Sequence, residues 1–183
     1  MSDIVDQLIA RFEKHGSKHY GEDVTQLEHA LQCAELARQQ DGSDAMIVAA
    51  LLHDIGQLID DAGSMAERHG VDARHEILAE ALLGPNFPRS VTDPIRYHVD
   101  AKRYLCAARP DYAALLSDSS RLSLRLQGGP MDEAEMQAFR ALPAFAGAIL
   151  LRECDDAAKR HDWIVPDLAS YRPLLERICV SGG

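Results

Sequence analysis

The chain has 183 residues, 46% hydrophobic and 26% charged, a size and composition that fit one compact domain burying about two-thirds of its unfolded surface. Lys+Arg of 19 against Asp+Glu of 29 leave a formal charge of -10, the wrong sign for tracking a nucleic-acid backbone or an anionic membrane leaflet. No apolar run is long enough to span a bilayer, and acids (Asp3, Asp6) stand where a signal peptide carries bases, so a cytoplasmic protein without nucleic-acid or membrane partners is expected.

Helices are expected throughout. The apolar spacing of Ile4, Val5, Leu8, Ile9 and Phe12 predicts a docking helix over 3–15 that stops before Gly16. Thr25-Gln26-Leu27-Glu28 has the form of a capping box and starts a second helix near Gln26, which runs to about Gln40 and ends at Asp41-Gly42. Ser43 or Asp44 caps a third, whose run Met46 to Leu52 is apolar all round, the mark of a central buried segment. A fourth is expected from Asp72 to Leu83, stopped by Gly84-Pro85, and a fifth from Thr92-Asp93-Pro94 through Tyr104. Shorter pieces follow over Tyr112 to Leu116, Ser119 to Leu126 and Asp132 to Arg140. A long helix from Ala144 to His161 and a last one from Asp167 to Ile178 complete an all-α bundle, one domain over 1–183. The four scattered cysteines, Cys33, Cys106, Cys154 and Cys179, form no metal-binding pair and read as reduced, mostly buried thiols.

His53-Asp54, at the end of the apolar third helix, places two metal-ligating side chains where burying them unpaired costs several kcal/mol, on the order of a lost buried contact or more. A capped helix end explains such a dipeptide taken alone. His29, His75, His98 and either Asp155 or Asp156 add one ligand-type residue on each of the other long helices. Inward-facing side chains on such helices converge, and four imidazoles with two carboxylates suit two cations such as iron or manganese. Lys102 lies one turn after His98, and Arg152 three residues before Asp155. Each pair shares a helix face, either as an exposed salt-bridge surface or as a site for a phosphate or phosphonate anion. His15, His19, His69 and His161 sit in polar or terminal settings and are expected at the surface.

His29, His53-Asp54 and Asp155 resemble the H…HD…D signature of the HD-domain superfamily, whose members are helical and mostly metal-dependent phosphohydrolases. Tyr20-Gly21-Glu22, Gln26 to Gln32, Asp72 to Glu76, His98 to Tyr104 and Leu126 to Met131 are more specifically similar to its organophosphonate oxygenases, over about residues 20–160. The resemblance implies an HD-domain helical bundle and two iron ions, mixed-valent Fe(II)/Fe(III), ligated by His29, His53, Asp54, His75, His98 and Asp155, with Asp54 bridging. It implies O2-dependent cleavage of the carbon–phosphorus bond of a 1-hydroxy-2-(trimethylamino or amino)ethylphosphonate, giving phosphate and glycine betaine or glycine. Lys102, Ser120 and Arg152 would hold the phosphonate, Glu22 the amino end, and Tyr20 would cover one iron. Gln57 stands where the glycine-forming member has a histidine, and the Tyr20 to Glu22 segment is one residue shorter. Both features lie at the substrate end and point toward the trimethylammonium compound. A metal-dependent HD phosphohydrolase acting on a nucleotide or phosphomonoester is the alternative, and a ligand-binding module without catalysis a more distant one, since all six ligand positions are filled.

Overall fold

The computed structural model describes residues 3–19, 23–59 and 70–180, and among these the chain forms ten α-helices, one short 3-10 turn and no strand. The helices are α1 (Asp3–His15), α2 (Gln26–Gln39), α3 (Asp44–Leu52), α4 (His75–Leu83), α5 (Arg89–Ala108), α6 (Tyr112–Leu115), α7 (Asp118–Leu126), α8 (Glu133–Arg140), α9 (Phe145–Ala157) and α10 (Leu168–Ile178). The 3-10 turn, Ile55–Leu58, follows α3.

Local chemistry sets most helix starts. Thr25 Oγ1 accepts from the Glu28 amide at 3.2 Å while Glu28 Oε2 accepts from the Thr25 amide at 2.8 Å, the reciprocal capping box expected of this sequence. Ser43 caps α3, Asp132 and Glu135 form a second capping box on α8, and Asp167 caps α10. α1 buries Ile4, Val5, Leu8 and Phe12 in the main core, as its spacing predicts.

Four boundaries differ from the sequence reading by three residues or more, one of them the end of α5, which runs to Ala108 rather than Tyr104. α4 begins at His75 rather than Asp72, because Asp72 Oδ1 accepts from the Arg74 amide at 3.0 Å and Arg74 adopts a left-handed conformation, φ 48°, which no helix continues through. α5 begins at Arg89 rather than Thr92: Pro88 takes the cap position, and Pro94 lies inside the helix, costing the Ser90 carbonyl its partner. α9 ends at Ala157, four residues before His161, for a reason that belongs to the site.

α3 occupies the centre. Every residue from Met46 to Leu52 is buried, and α2, α5, α9 and α10 pack around it. α5 and α9 form the most extensive helix pair. They approach closely, and a Cβ added to Gly147 of α9 would lie 3.2 Å from Pro94 Cγ of α5. Tyr104, Phe139 and Phe145 stack edge-on at 5.2–5.5 Å in a satellite core that fixes α8 on this pair. The bundle thus holds α2, the end of α3, α4, α5 and α9 around one point. Cys33 and Cys154 are buried and Cys106 and Cys179 half-buried, so only two of the four thiols lie in the core.

Candidate metal centre

Three histidines are oriented by backbone carbonyls. His53, the C-terminal cap of α3, and His98, in the middle of α5, each turn Nδ1 back to the carbonyl three residues earlier, Ala50 O at 2.9 Å and Ile95 O at 2.7 Å. His29 of α2 reaches across to Ala158 O at 2.8 Å. A carbonyl only accepts, so Nδ1 carries the proton in each ring and Nε2 is left with its lone pair. The Nε2 atoms gather inward with that of His75: His29 Nε2 and His53 Nε2 are 3.3 Å apart, and His75 Nε2 and His98 Nε2 3.0 Å.

Asp54 lies between the two pairs. Its Oδ1 is 3.2 Å from His75 Nε2 and 3.9 Å from His98 Nε2, and its Oδ2 is 3.6 Å from His53 Nε2 and 3.9 Å from His29 Nε2. Asp155, in the last turn of α9, completes the first pair with Oδ1 3.2 Å from His29 Nε2. The choice between Asp155 and Asp156 left open by spacing is thereby settled in placement, since Asp156 faces Tyr112 and Arg152 instead. Two groups result that can each hold a metal ion: His29, His53 and Asp54, and Asp54, His75 and His98.

The electrostatics favour positive charge at both. Burial pushes Asp54 up, but His53 and a hydrogen bond from His75 outweigh it and hold the carboxyl well below the carboxylate range. Asp155 is likewise held well below, against burial, by Arg152 and His29. Burial opposes protonation of His29 and His75, yet Asp155 and Asp54 respectively pull both upward. His98, pushed down to about 3 by burial and by His75 and His53, stays neutral. Two ionised carboxylates facing paired imidazoles fit cations, and a nitrogen–oxygen donor set without thiolate fits iron or manganese. Glu76 adds a buried carboxylate behind the site, with Oε2 3.8 Å from His75 Nδ1 and no hydrogen-bond partner.

Backbone approach matters as much as side chains. The Cβ of an alanine at Gly56 would lie 2.0 Å from the carbonyl oxygen of His75, so only glycine lets the turn after Asp54 reach the first residue of α4.

The centre opens into a cavity of about 320 Å3. Lys102 and Ser120, both buried, line it, as do Gln57 and Arg152. Lys102 Nζ donates to Ser123 Oγ at 2.7 Å. Burial and the nearby Arg152 push Lys102 down to about 7. Arg152 is no exposed salt-bridge residue: it is 4% exposed, donates to Asp155 Oδ2 at 2.6 Å, pairs with Asp156 and donates from Nε to Tyr112 Oη at 3.1 Å. Tyr20 and Glu22 lie outside the described residues, as does His69. His19 and His161 are exposed and His15 half-buried.

Sequence reasoning missed three contributors: Lys159 and Ser123 in the cavity, and Tyr112, which with Asp156 holds Arg152. Lys159 had a signal, since it follows Asp155 at helical spacing. Tyr112 had none, because it reaches the site from a separate short helix.

Comparison with known proteins follows the same lines. Residues 27–138 match the HD-domain family, more than half of the chain. The chain is 42% identical over 176 residues to a [1-hydroxy-2-(trimethylamino)ethyl]phosphonate dioxygenase (glycine-betaine-forming) of Leisingera caerulea, covering 96% of this chain and 90% of that protein. It is 44% identical over 173 residues to a hydroxymethylphosphonate dioxygenase of Gimesia maris, covering 94% and 86%.

Proposed function

Because this chain belongs to the HD-domain family, and within it to the phosphonate dioxygenases, we propose that it cleaves the carbon–phosphorus bond of a 1-hydroxyalkylphosphonate with O2 at two irons held by His29, His53, Asp54, His75, His98 and Asp155. The observation that carries this reading is Asp54, one oxygen turned to each histidine pair, with Asp155 closing one side. The overall change, R–CH(OH)–PO3H2 + O2 to R–COOH + H3PO4, balances without an added reductant, as a dioxygenase requires.

A mixed-valent Fe(II)/Fe(III) pair would supply redox chemistry toward O2 and a Lewis acid for substrate oxygens. The chain's own residues supply position. Lys102 and Ser120 hold phosphonate oxygens from the cavity wall and offset charge as phosphate leaves. Arg152 does two jobs: it fixes Asp155 from behind, and from the cavity lining it adds its charge to the seat of the same anion. Gln57, on the turn beside Asp54, lines the cavity where the substrate carbon chain would lie, and Glu22 and Tyr20 serve the amino end and one iron, as the resemblance implies.

For the head group, the cavity mouth carries exposed Val71, Leu122 and Leu126 beside Asp72. Apolar contact with a carboxylate nearby suits a trimethylammonium group, which donates no hydrogen bond and is held by charge and contact. We therefore assign the trimethylated compound as the preferred substrate. A cytoplasmic setting fits four cysteines that are all thiols. Among the described residues, no helix is long and apolar enough to cross a membrane.

Oxygen uptake and phosphate release by the iron-loaded, partly reduced protein test the reading. The trimethylated substrate should exceed the primary amine and hydroxymethylphosphonate in kcat/KM by about tenfold, the scale of a few pocket contacts. A preference for either of the others overturns the head-group assignment. No uptake with any of them, together with hydrolysis of a phosphomonoester, replaces the oxygenase by a hydrolase.

A further inference from the structure

Beyond Ala157 the chain leaves α9 as a strap across α2. The Ala158 carbonyl accepts from His29 Nδ1 at 2.8 Å, and Arg160 is gripped twice by Gln32, whose Nε2 donates to the Arg160 carbonyl at 2.8 Å and whose Oε1 accepts from its amide at 2.9 Å. Gln32 is 2% exposed, so this grip is made in the interior, and it explains why the helix predicted to reach His161 stops early. Residues 158 and 160 are thereby turned to α2. Lys159, between them, extends toward α7, with Nζ 3.2 Å from Ser117 Oγ and 3.5 Å from Ser120 Oγ.

Lys159 lines the same cavity as Lys102, which reaches the same helix from α5. Lys102 Nζ donates to Ser123 Oγ, and Ser123 Oγ donates to the Ser120 carbonyl at 3.1 Å. Lys159 thus reaches the Ser120 hydroxyl directly, and Lys102 reaches the same helix through Ser123. A serine hydroxyl can accept from a lysine and donate to an anion at once, so the Ser120 hydroxyl, which lines the cavity, is one a ligand can share.

We infer that Lys159 is a second lysine of the anion seat, contacting the phosphonate of the substrate and the phosphate of the product. The inference rests on the phosphonate reading above for the identity of the anion, but its test does not depend on oxygen chemistry.

The iron-loaded protein titrated calorimetrically with inorganic phosphate provides that test. Lys159→Met should weaken phosphate binding by about tenfold or more, the loss of one charge-assisted contact, with wild-type iron content and helical circular dichroism. Lys159→Arg, which keeps the charge, should lose less than about threefold. In turnover, Lys159→Met should raise KM more than it lowers kcat. Phosphate affinity within about twofold of wild type in Lys159→Met overturns the inference, as does an equal loss in the Met and Arg variants or a wild type that binds no phosphate. Oxygen uptake by the wild type is read separately. Uptake with no Lys159 effect removes the lysine alone, whereas a Lys159-dependent phosphate affinity without uptake removes the oxygenase reading and keeps the two-lysine seat.

Discussion

A carboxylate has two oxygens, and Asp54 turns one to each pair of histidines, Oδ1 to His75 and Oδ2 to His53. Replacing one of the six ligand-type residues should therefore have unequal effects. Asp54→Ala opens both sides and should lower iron from two per chain to below one and abolish turnover, while His98→Ala should leave the His29–His53 side loaded. Metal analysis of the purified variants checks this, and an Asp54→Ala protein with two irons and full turnover places the centre elsewhere. Lys102 carries a second expectation. Burial and Arg152 lower it to about 7, below the value of about 10.4 for an unfolded lysine. Between those values the unfolded chain binds the proton and the folded chain does not, so folding stability rises with pH in that window, by up to about 1.4 kcal/mol per pH unit. Denaturant titrations from pH 6 to 9 should show wild type gaining on Lys102→Met above pH 7. A constant difference would mean that Lys102 titrates at its ordinary value. At this scale the sequence is readable because ligand types are few and helical spacing fixes which residues share a face, as with Lys102 after His98. It is silent on Tyr112, whose contact with Arg152 depends on where a short separate helix lands.

Elements deliver these residues only if their backbones approach closely, and among the described glycines the tightest approach is at Gly56. A Cβ there would meet the His75 carbonyl oxygen at 2.0 Å and the Ala79 amide at 3.1 Å, both backbone atoms that cannot rotate away. Gly56→Ala should therefore displace the start of α4, costing about 1 to 3 kcal/mol of stability. It should also withdraw His75 from Asp54, with loss of one iron and a drop in turnover of about a hundredfold, comparable to removing a supporting contact of a metal ligand. Retention of both irons and turnover would show that α4 shifts as a unit with its ligand. The glycine is legible in sequence as following His53-Asp54-Ile55, but its reason is not, because the clashing carbonyl is nineteen residues away (75 − 56) and is brought there by the tertiary fold. Helix ends behave alike. Those set by local chemistry, such as the Thr25–Glu28 box and the Ser43 cap, fall where the sequence puts them. The end of α9 does not, because His29 and Gln32 bind the residues after Ala157 from another helix.

For the molecule as a whole, the site collects side chains from residues 29 to 155, on α2, the end of α3, α4, α5 and α9, so a metal pair there ties together helices far apart in sequence. Without cations, the same arrangement crowds imidazole nitrogens against one another at 3.0–3.3 Å beside two ionised carboxylates, all in the interior. An unfolded chain cannot hold these six groups together, so metal binds the native state almost alone and its binding free energy appears as folding stability. At a free metal concentration of about one hundred times Kd that contribution is about 2.7 kcal/mol, and for a domain of this size each kcal/mol moves Tm by about 2 to 4 °C. Stripping iron with a chelator should thus lower Tm by about 5 to 11 °C. Asp54→Ala should melt at the same temperature with and without chelator, since it has little bound metal to lose. α1 and α10 pack against the core and provide none of the six groups, so the loss should be sharpest in amide protection of α2, α4, α5 and α9. A chelated protein shown to be free of iron, yet melting within about 1 °C of the loaded form, would mean that the fold supports the bare cluster unaided and that the metal contributes to chemistry alone.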